Sequence, residues 1–338
     1  MLKYTRKRGG KMENTLLENI KKMPKIELHM HLDGSIPIPY VMKKYNLKKE
    51  YVQKYMIADD KCKNLNDYLE KFDYPISIMQ TKEQLQEITI VLLEELKRQN
   101  VVYAEIRFAP QFHVSGALSQ EDVVKTVIEA KEKVNIKSNF ILCIMRGKDN
   151  MQENYKTVEL AKKYLGKGVC AVDLAGAEAI FKTKDYKDIF EYVKKLNIPF
   201  TIHAGEADGI ESIKSAIEFG TKRIGHGVRA VESDEIMKCI KDNCITLEVC
   251  PTSNIQTCIC NSYSSHPIEK LYNYGILTTI NTDNMTVSNT TLENEYINIL
   301  KNTKLKYQDL VNMNKNSVKA AFLSNEEKIE LLKKYWEE

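Results

Sequence analysis

The eight cysteines include no CxxC pair, and no window reaches the ~18–20 apolar residues of a membrane span. The start lacks the apolar core of a secretory signal. Disulfide scaffolds, thiolate metal clusters and spanning helices are thereby excluded, and a reduced, cytoplasmic protein is expected. Cys143, Cys170 and Cys250 fall in apolar, strand-like runs, where a thiol behaves as a small hydrophobe. A basic field is also missing. Residues 1–11 hold five Lys or Arg and no acid, so removing those five from the net +4 leaves −1 for residues 12–338. Nothing grips phosphates, so neither nucleic acid nor a membrane is expected as a partner. Residues 1–12 read as a flexible terminus. Linkers, repeats and low-complexity tracts are absent, which predicts a single domain over 1–338.

What is present is alternation. Short β-branched runs at Ile26–Met30, Val101–Phe108, Phe140–Met145, Val169–Leu174, Phe200–His203, Arg223–His226, Ile245–Val249 and Leu277–Asn281 are separated by amphipathic, Lys/Glu-rich segments. These include Glu121–Val134, Tyr155–Tyr164, Ile210–Glu218 and Ser233–Ile240. Continuously apolar strands between helices mean a parallel sheet covered on its outside. Eight of them predict an α/β fold, a (β/α)₈ TIM-type barrel. A doubly wound sheet would want a Gly-rich phosphate turn after the first strand, where this chain has His31-Leu-Asp-Gly-Ser35. One connection is abnormally long: residues 40–96 read as a helical insertion between the first and second strands. Leu65, Tyr68, Leu69, Phe72 and Ile76 sit there at helical spacing, either packing on the barrel or forming a lid.

Histidine is scarce, with six in the chain, yet four stand at or just past proposed strand ends: His29, His31, His203 and His226. Those ends share one rim in a parallel barrel. His29 and His31 are two apart on a strand and face the same side. With His203 and Asp283 they offer three nitrogens and an oxygen, a set that suits zinc and leaves a place for water, whose pKa falls towards ~7. Glu206, just past the fifth strand, is placed to deliver a proton, and His226 to orient hydroxide. His113 reads as a loop residue and His266, in Ser-Ser-His-Pro, as turn surface. Glu105 and Arg107 share a strand face and are expected to form a buried ion pair, with Asp173 packing similarly.

The series His29-Met-His-Leu-Asp-Gly-Ser35, Val172-Asp-Leu-Ala-Gly176, His203-Ala-Gly-Glu206, Gly225-His-Gly-Val-Arg229, Cys250-Pro-Thr-Ser-Asn254 and Asn281-Thr-Asp283 resembles the adenosine deaminase family of the amidohydrolase superfamily. The likeness covers residues 22–325. It implies one Zn²⁺ per chain on His29, His31, His203 and Asp283, with Glu206 protonating purine N1 and His226 orienting the attacking hydroxide. It further implies Gly176 meeting purine N3, Asp33 meeting the ribose 5′-hydroxyl, and a purine nucleoside as the small-molecule substrate. His31 and Asp283 then border the substrate as well as the metal. Where well-known members carry a second aspartate, this chain has Asn284, whose amide donates to purine N7 at any pH. Asp33, where adenine deaminases tend to carry Glu, favours adenosine or 2′-deoxyadenosine over the free base. Adenine or a 5′-modified nucleoside as substrate, and a non-catalytic binding protein, are the alternatives. A binuclear relative would need a lysine on the fourth strand, and Val169–Gly176 has none; a cytidine-type deaminase would need HxE with PCxxC.

Overall fold

The computed structural model describes residues 15–337; the basic start, expected to be flexible, lies outside the described residues. Eight parallel strands carry the fold: β1 Lys25–His31, β2 Val101–Phe108, β3 Lys137–Met145, β4 Val169–Ala175, β5 Ile202–Ala204, β6 Arg223–His226, β7 Thr246–Val249 and β8 Leu277–Ile280. β1–β4 form one sheet and β5–β8 another. Single parallel bridges join them at both seams, Val172 to Phe200 and Met30 to Asp283, and so close the ring of the predicted (β/α)₈ barrel. At the second seam the His31 N–H donates to the Asp283 carbonyl and the Asp283 N–H to the His29 carbonyl, each at 2.8 Å. Closing the barrel is therefore the act that sets Asp283 between two histidines.

The β-branched runs become strands because both faces are covered: β4 and β6 are buried along their whole length. The outer helices bury one stripe each, as Ile189, Phe190 and Val193 do in Lys187–Lys195. Their ends follow local chemistry. A Thr81–Gln84 capping box opens Lys82–Arg98, and Gly220, in the left-handed conformation, closes Ile210–Phe219.

Inside the ring, one expectation needs correcting. Glu105 and Arg107 are both buried but not paired with each other. Arg107 reaches Asp173 at 3.0 Å and Glu248 at 2.8 Å, while Arg223 holds Glu105 and Glu248. Residues two apart on one strand stand ~6.6 Å apart along it, so partners on facing strands are nearer. Asp173 joins this network as expected.

The insertion is helical at Ile38–Lys44, Lys49–Tyr55, Leu65–Leu69, Asp73–Ser77 and Lys82–Arg98. Its parts do different things. Leu85, Ile88, Leu92, Leu93 and Leu96 of the long helix enter the main core. Leu65, Tyr68, Leu69 and Phe72 instead form a satellite cluster with Val287 and Ala207 above the strand ends.

Candidate active site

At the carboxyl rim lies a cavity of about 430 Å³. Its floor includes His31, Asp33, Gly176, His203, Glu206, His226, Asp283 and Asn284; its roof is Leu65, Tyr68, Leu69, Phe72 and Ile76. His29 sits directly beneath, fully buried. Gly225 leaves the space this ring needs, since a Cβ there would stand 2.9 Å from His29 Cε1.

Two of the histidines are braced by carboxylates. His29 Nδ1 donates to Glu248 at 2.8 Å, and His203 Nδ1 lies 2.9 Å from Asp173. Burial alone would raise the Glu248 carboxyl, but Arg223 and Arg107 hold it well below the usual range. With Nδ1 protons directed outward, both rings turn Nε2 lone pairs inward. His29 Nε2 and His31 Nε2 each lie 3.5 Å from Asp283 Oδ1, and His31 Nε2 is 3.3 Å from His203 Nε2. Burial keeps His31 neutral, its pKa pushed well below the ordinary value. His29 Nε2 is buried with no hydrogen-bond partner. Bare nitrogens crowded onto one carboxylate oxygen are a poor arrangement unless a cation joins them, so the residues fit a divalent metal. By distance alone His226 also qualifies, since one ligand atom each from His29, His203, His226 and Asp283 lie within 4.8 Å of one another. Its brace differs, however: an amide, Asn254 Nδ2, stands 3.0 Å from His226 Nδ1. His226 and Asp283 both adopt left-handed backbone, φ 60° and 58°, a conformation uncommon for non-glycine residues.

Glu206 is buried, with Oε2 3.5 Å from His226 Nε2. Burial first, then the Asp283 and Glu178 charges, raise its pKa well above the ordinary value, so it keeps a proton to give. Residues 24–337 match the sequence profile of the adenosine deaminase family. The chain belongs to the adenosine deaminase family. A Haemophilus ducreyi protein named adenosine deaminase is 42% identical over 323 residues, covering 91% of this chain and 94% of its own. One from Clostridium kluyveri is 40% identical, covering 94% of each. Among solved structures, the N6-methyl-AMP deaminase of Arabidopsis thaliana superposes with a TM-score of 0.81 at 26% identity, covering 94% of this chain and 98% of that one.

In this family member His266 departs from the sequence reading, and the other named residues take particular places. Asn284 lines the cavity, but its Nδ2 donates to Tyr68 Oη at 3.0 Å and its Oδ1 packs against Gly34, where a Cβ would stand 1.8 Å away. The amide is thus engaged with the roof rather than free. His113 is a loop residue as expected, but a buried one: it follows the turn Pro110–Phe112, its Nδ1 donates to the Met79 carbonyl at 3.2 Å, and Nε2 lies 3.8 Å from Asp33 Oδ2. Asp33 itself is buried, its carboxyl pushed up to about 6 by that burial, and its Oδ1 has no partner. His266 is likewise buried, turned inward to accept the Ile268 N–H that opens the next helix. Gly176, at φ 105°, edges the cavity.

Sequence reasoning missed Glu178. Its carboxylate accepts the N–H groups of Gly205, Glu206, Ala207 and Asp208 at 2.6–3.0 Å, and the Ser212 hydroxyl at 2.5 Å. It holds the loop that presents Glu206. An acid three residues beyond the fourth strand was the one available signal. No helix of the described residues is long and apolar enough to cross a membrane.

Proposed function

We propose that this chain hydrolytically deaminates adenosine, and 2′-deoxyadenosine, to the corresponding inosine and ammonia, with one Zn²⁺ per chain held by His29, His31, His203 and Asp283. The reading is carried by one juxtaposition: a buried, proton-retaining carboxyl beside a cluster of inward-facing imidazoles and a carboxylate. When bound, the cation supplies the Lewis acidity that makes water nucleophilic near neutrality. The side chains do the rest. Water oxygen adds to C6 of the purine while Glu206 gives its proton to N1, which removes the ring's aromatic resistance to attack. His226 orients the attacking oxygen. A proton then passes to the 6-amino group, the C6–N6 bond breaks, and ammonia leaves.

The cavity favours a nucleoside. Its apolar roof suits a purine face, and Asp33 with its unpartnered oxygen suits a ribose hydroxyl. Gly176 offers its backbone to purine N3. Asn284 reaches N7 by releasing Tyr68, which makes the segment around residues 57–77 a lid over the substrate. Among the described residues, no free cation lines the cavity for a 5′-phosphate to meet. Arg146, the one Lys or Arg lining the cavity, spends its guanidinium on the carbonyls of Phe181 and His203 and on Thr183. Eight free thiols suit a reducing cytoplasm.

The test is loss of the adenosine absorbance band with adenosine, adenine and AMP, with and without chelator. Adenosine should be consumed at least tenfold faster than either competitor, and chelator should stop it. Faster loss of adenine or AMP would overturn the substrate assignment.

A further inference from the structure

Asn254 belongs to a motif for which the chemistry above has no use, and His266 was expected on the surface. Together they form a line of hydrogen bonds behind His226. The line begins at a proton whose position is fixed by covalent structure, the backbone N–H of Ile268, 3.1 Å from His266 Nδ1. A nitrogen that accepts carries no proton, so the neutral His266 ring bears its proton on Nε2. That nitrogen stands 3.2 Å from Asn254 Oδ1, which only accepts. The other end of the same amide only donates, and it stands 3.0 Å from His226 Nδ1. His226 Nδ1 therefore accepts, and the His226 proton sits on Nε2, the atom facing Glu206.

Each ring and the amide are buried, at 1%, 0% and 4% exposure for His226, Asn254 and His266, so water cannot reassign the order. Burial also lowers His266 to about 3, which keeps it neutral. The contrast with His29 and His203 is chemical. Glu248 takes the His29 Nδ1 proton and the Asp173 carboxylate stands 2.9 Å from His203 Nδ1, which favours bare Nε2 on both rings; an amide does the reverse to His226.

We propose that Asn254 and His266 are positioning residues that lock His226 in its Nε2–H tautomer. This makes His226 a hydrogen-bond donor to the reacting oxygen and withholds the lone pair that would let it compete as a metal ligand. The catalytic consequence rests on the deamination reading; the tautomer assignment does not.

Nitrogen-15 NMR of the metal-loaded enzyme with ¹⁵N-labelled histidine separates the two, with His226 signals identified by their loss in His226→Asn. Expected are protonated Nε2 and bare Nδ1 for His226 and His266, and the opposite for His29 and His203. A proton on His226 Nδ1 overturns the proposal. In parallel, His266→Leu frees the Asn254 amide to turn and should lower kcat about tenfold with KM within twofold, the scale of a lost outer partner. His266→Gln, which returns an N–H donor at the same reach, should recover most of that loss. Equal loss in both variants, or none in His266→Leu, overturns the relay. An unmutated enzyme without adenosine turnover would refute the deamination reading, while the ¹⁵N spectrum would still decide the tautomer.

Discussion

The floor of the cavity stands on strand ends and buried charge, whereas its roof hangs from a helical insertion by a handful of hydrogen bonds. Beneath the floor, Glu248 alone accepts from His29, Arg107, Arg223 and Thr201. In the roof, Tyr68 touches Ser288 at 2.7 Å and Asn284 at 3.0 Å, and backbone bonds run from Ala58 to Val287 and from Cys62 to Gln256. Leu69 and Phe72 stay only half-buried. The difference separates two tasks. Chemistry needs groups held within fractions of an ångström, which a closed ring of strands provides. Admission and release need a part that moves, and weakly anchored segments open most readily.

The comparison can be broken from the floor upward. Glu206→Gln keeps the shape but loses the acid; kcat should fall at least ~10²-fold while about one metal per chain is retained. Near-normal turnover would remove Glu206 from the chemistry. Glu248→Gln still accepts from His29 but gives up the charge, so metal affinity measured by chelator competition should drop roughly tenfold. Unchanged affinity would mean that the carboxylate braces only the fold.

A milder effect is expected in stability. Burial pushes Glu295 up to about 7 against bonds from Thr252 and Thr290. Because the folded carboxyl binds its proton more tightly than the unfolded one, stability should decline as pH rises from about 4.5 through 7. The slope should approach ~1.4 kcal/mol per pH unit from this group. Glu295→Gln should flatten that window in urea unfolding; a parallel slope in both proteins would contradict the assignment. The smallest effect belongs to the roof. Leu69→Ala removes part of an apolar contact worth about 1 kcal/mol, so KM should rise roughly fivefold with kcat little changed. A large kcat loss would mean that the roof takes part in chemistry.

Much of the floor was legible in the sequence for a physical reason. Strands covered on both faces read as apolar runs, and β2 and β6 begin and end where those runs do. Scarce histidines at run ends mark a rim. His29, His203, His226 and Asp283 offer ligand atoms within 4.8 Å of one another, with His31 3.5 Å from Asp283 and Glu206 3.5 Å from His226. What stayed hidden depends on facing strands and loop paths, which leave no period in the chain. Arg107 found Asp173 and Glu248 rather than Glu105, Glu178 gathered the Glu206 loop, and His113 and His266 turned inward. The insertion announced its helices and both of their uses, packing or lid, and the structure divides them: its middle roofs the cavity while its last helix joins the core.

Metal analysis tests the whole arrangement most directly, read against adenosine turnover as chelator is titrated in and the metal restored. Activity should track bound divalent metal and saturate at one equivalent per chain. Fully active protein holding far less than one equivalent would contradict the account.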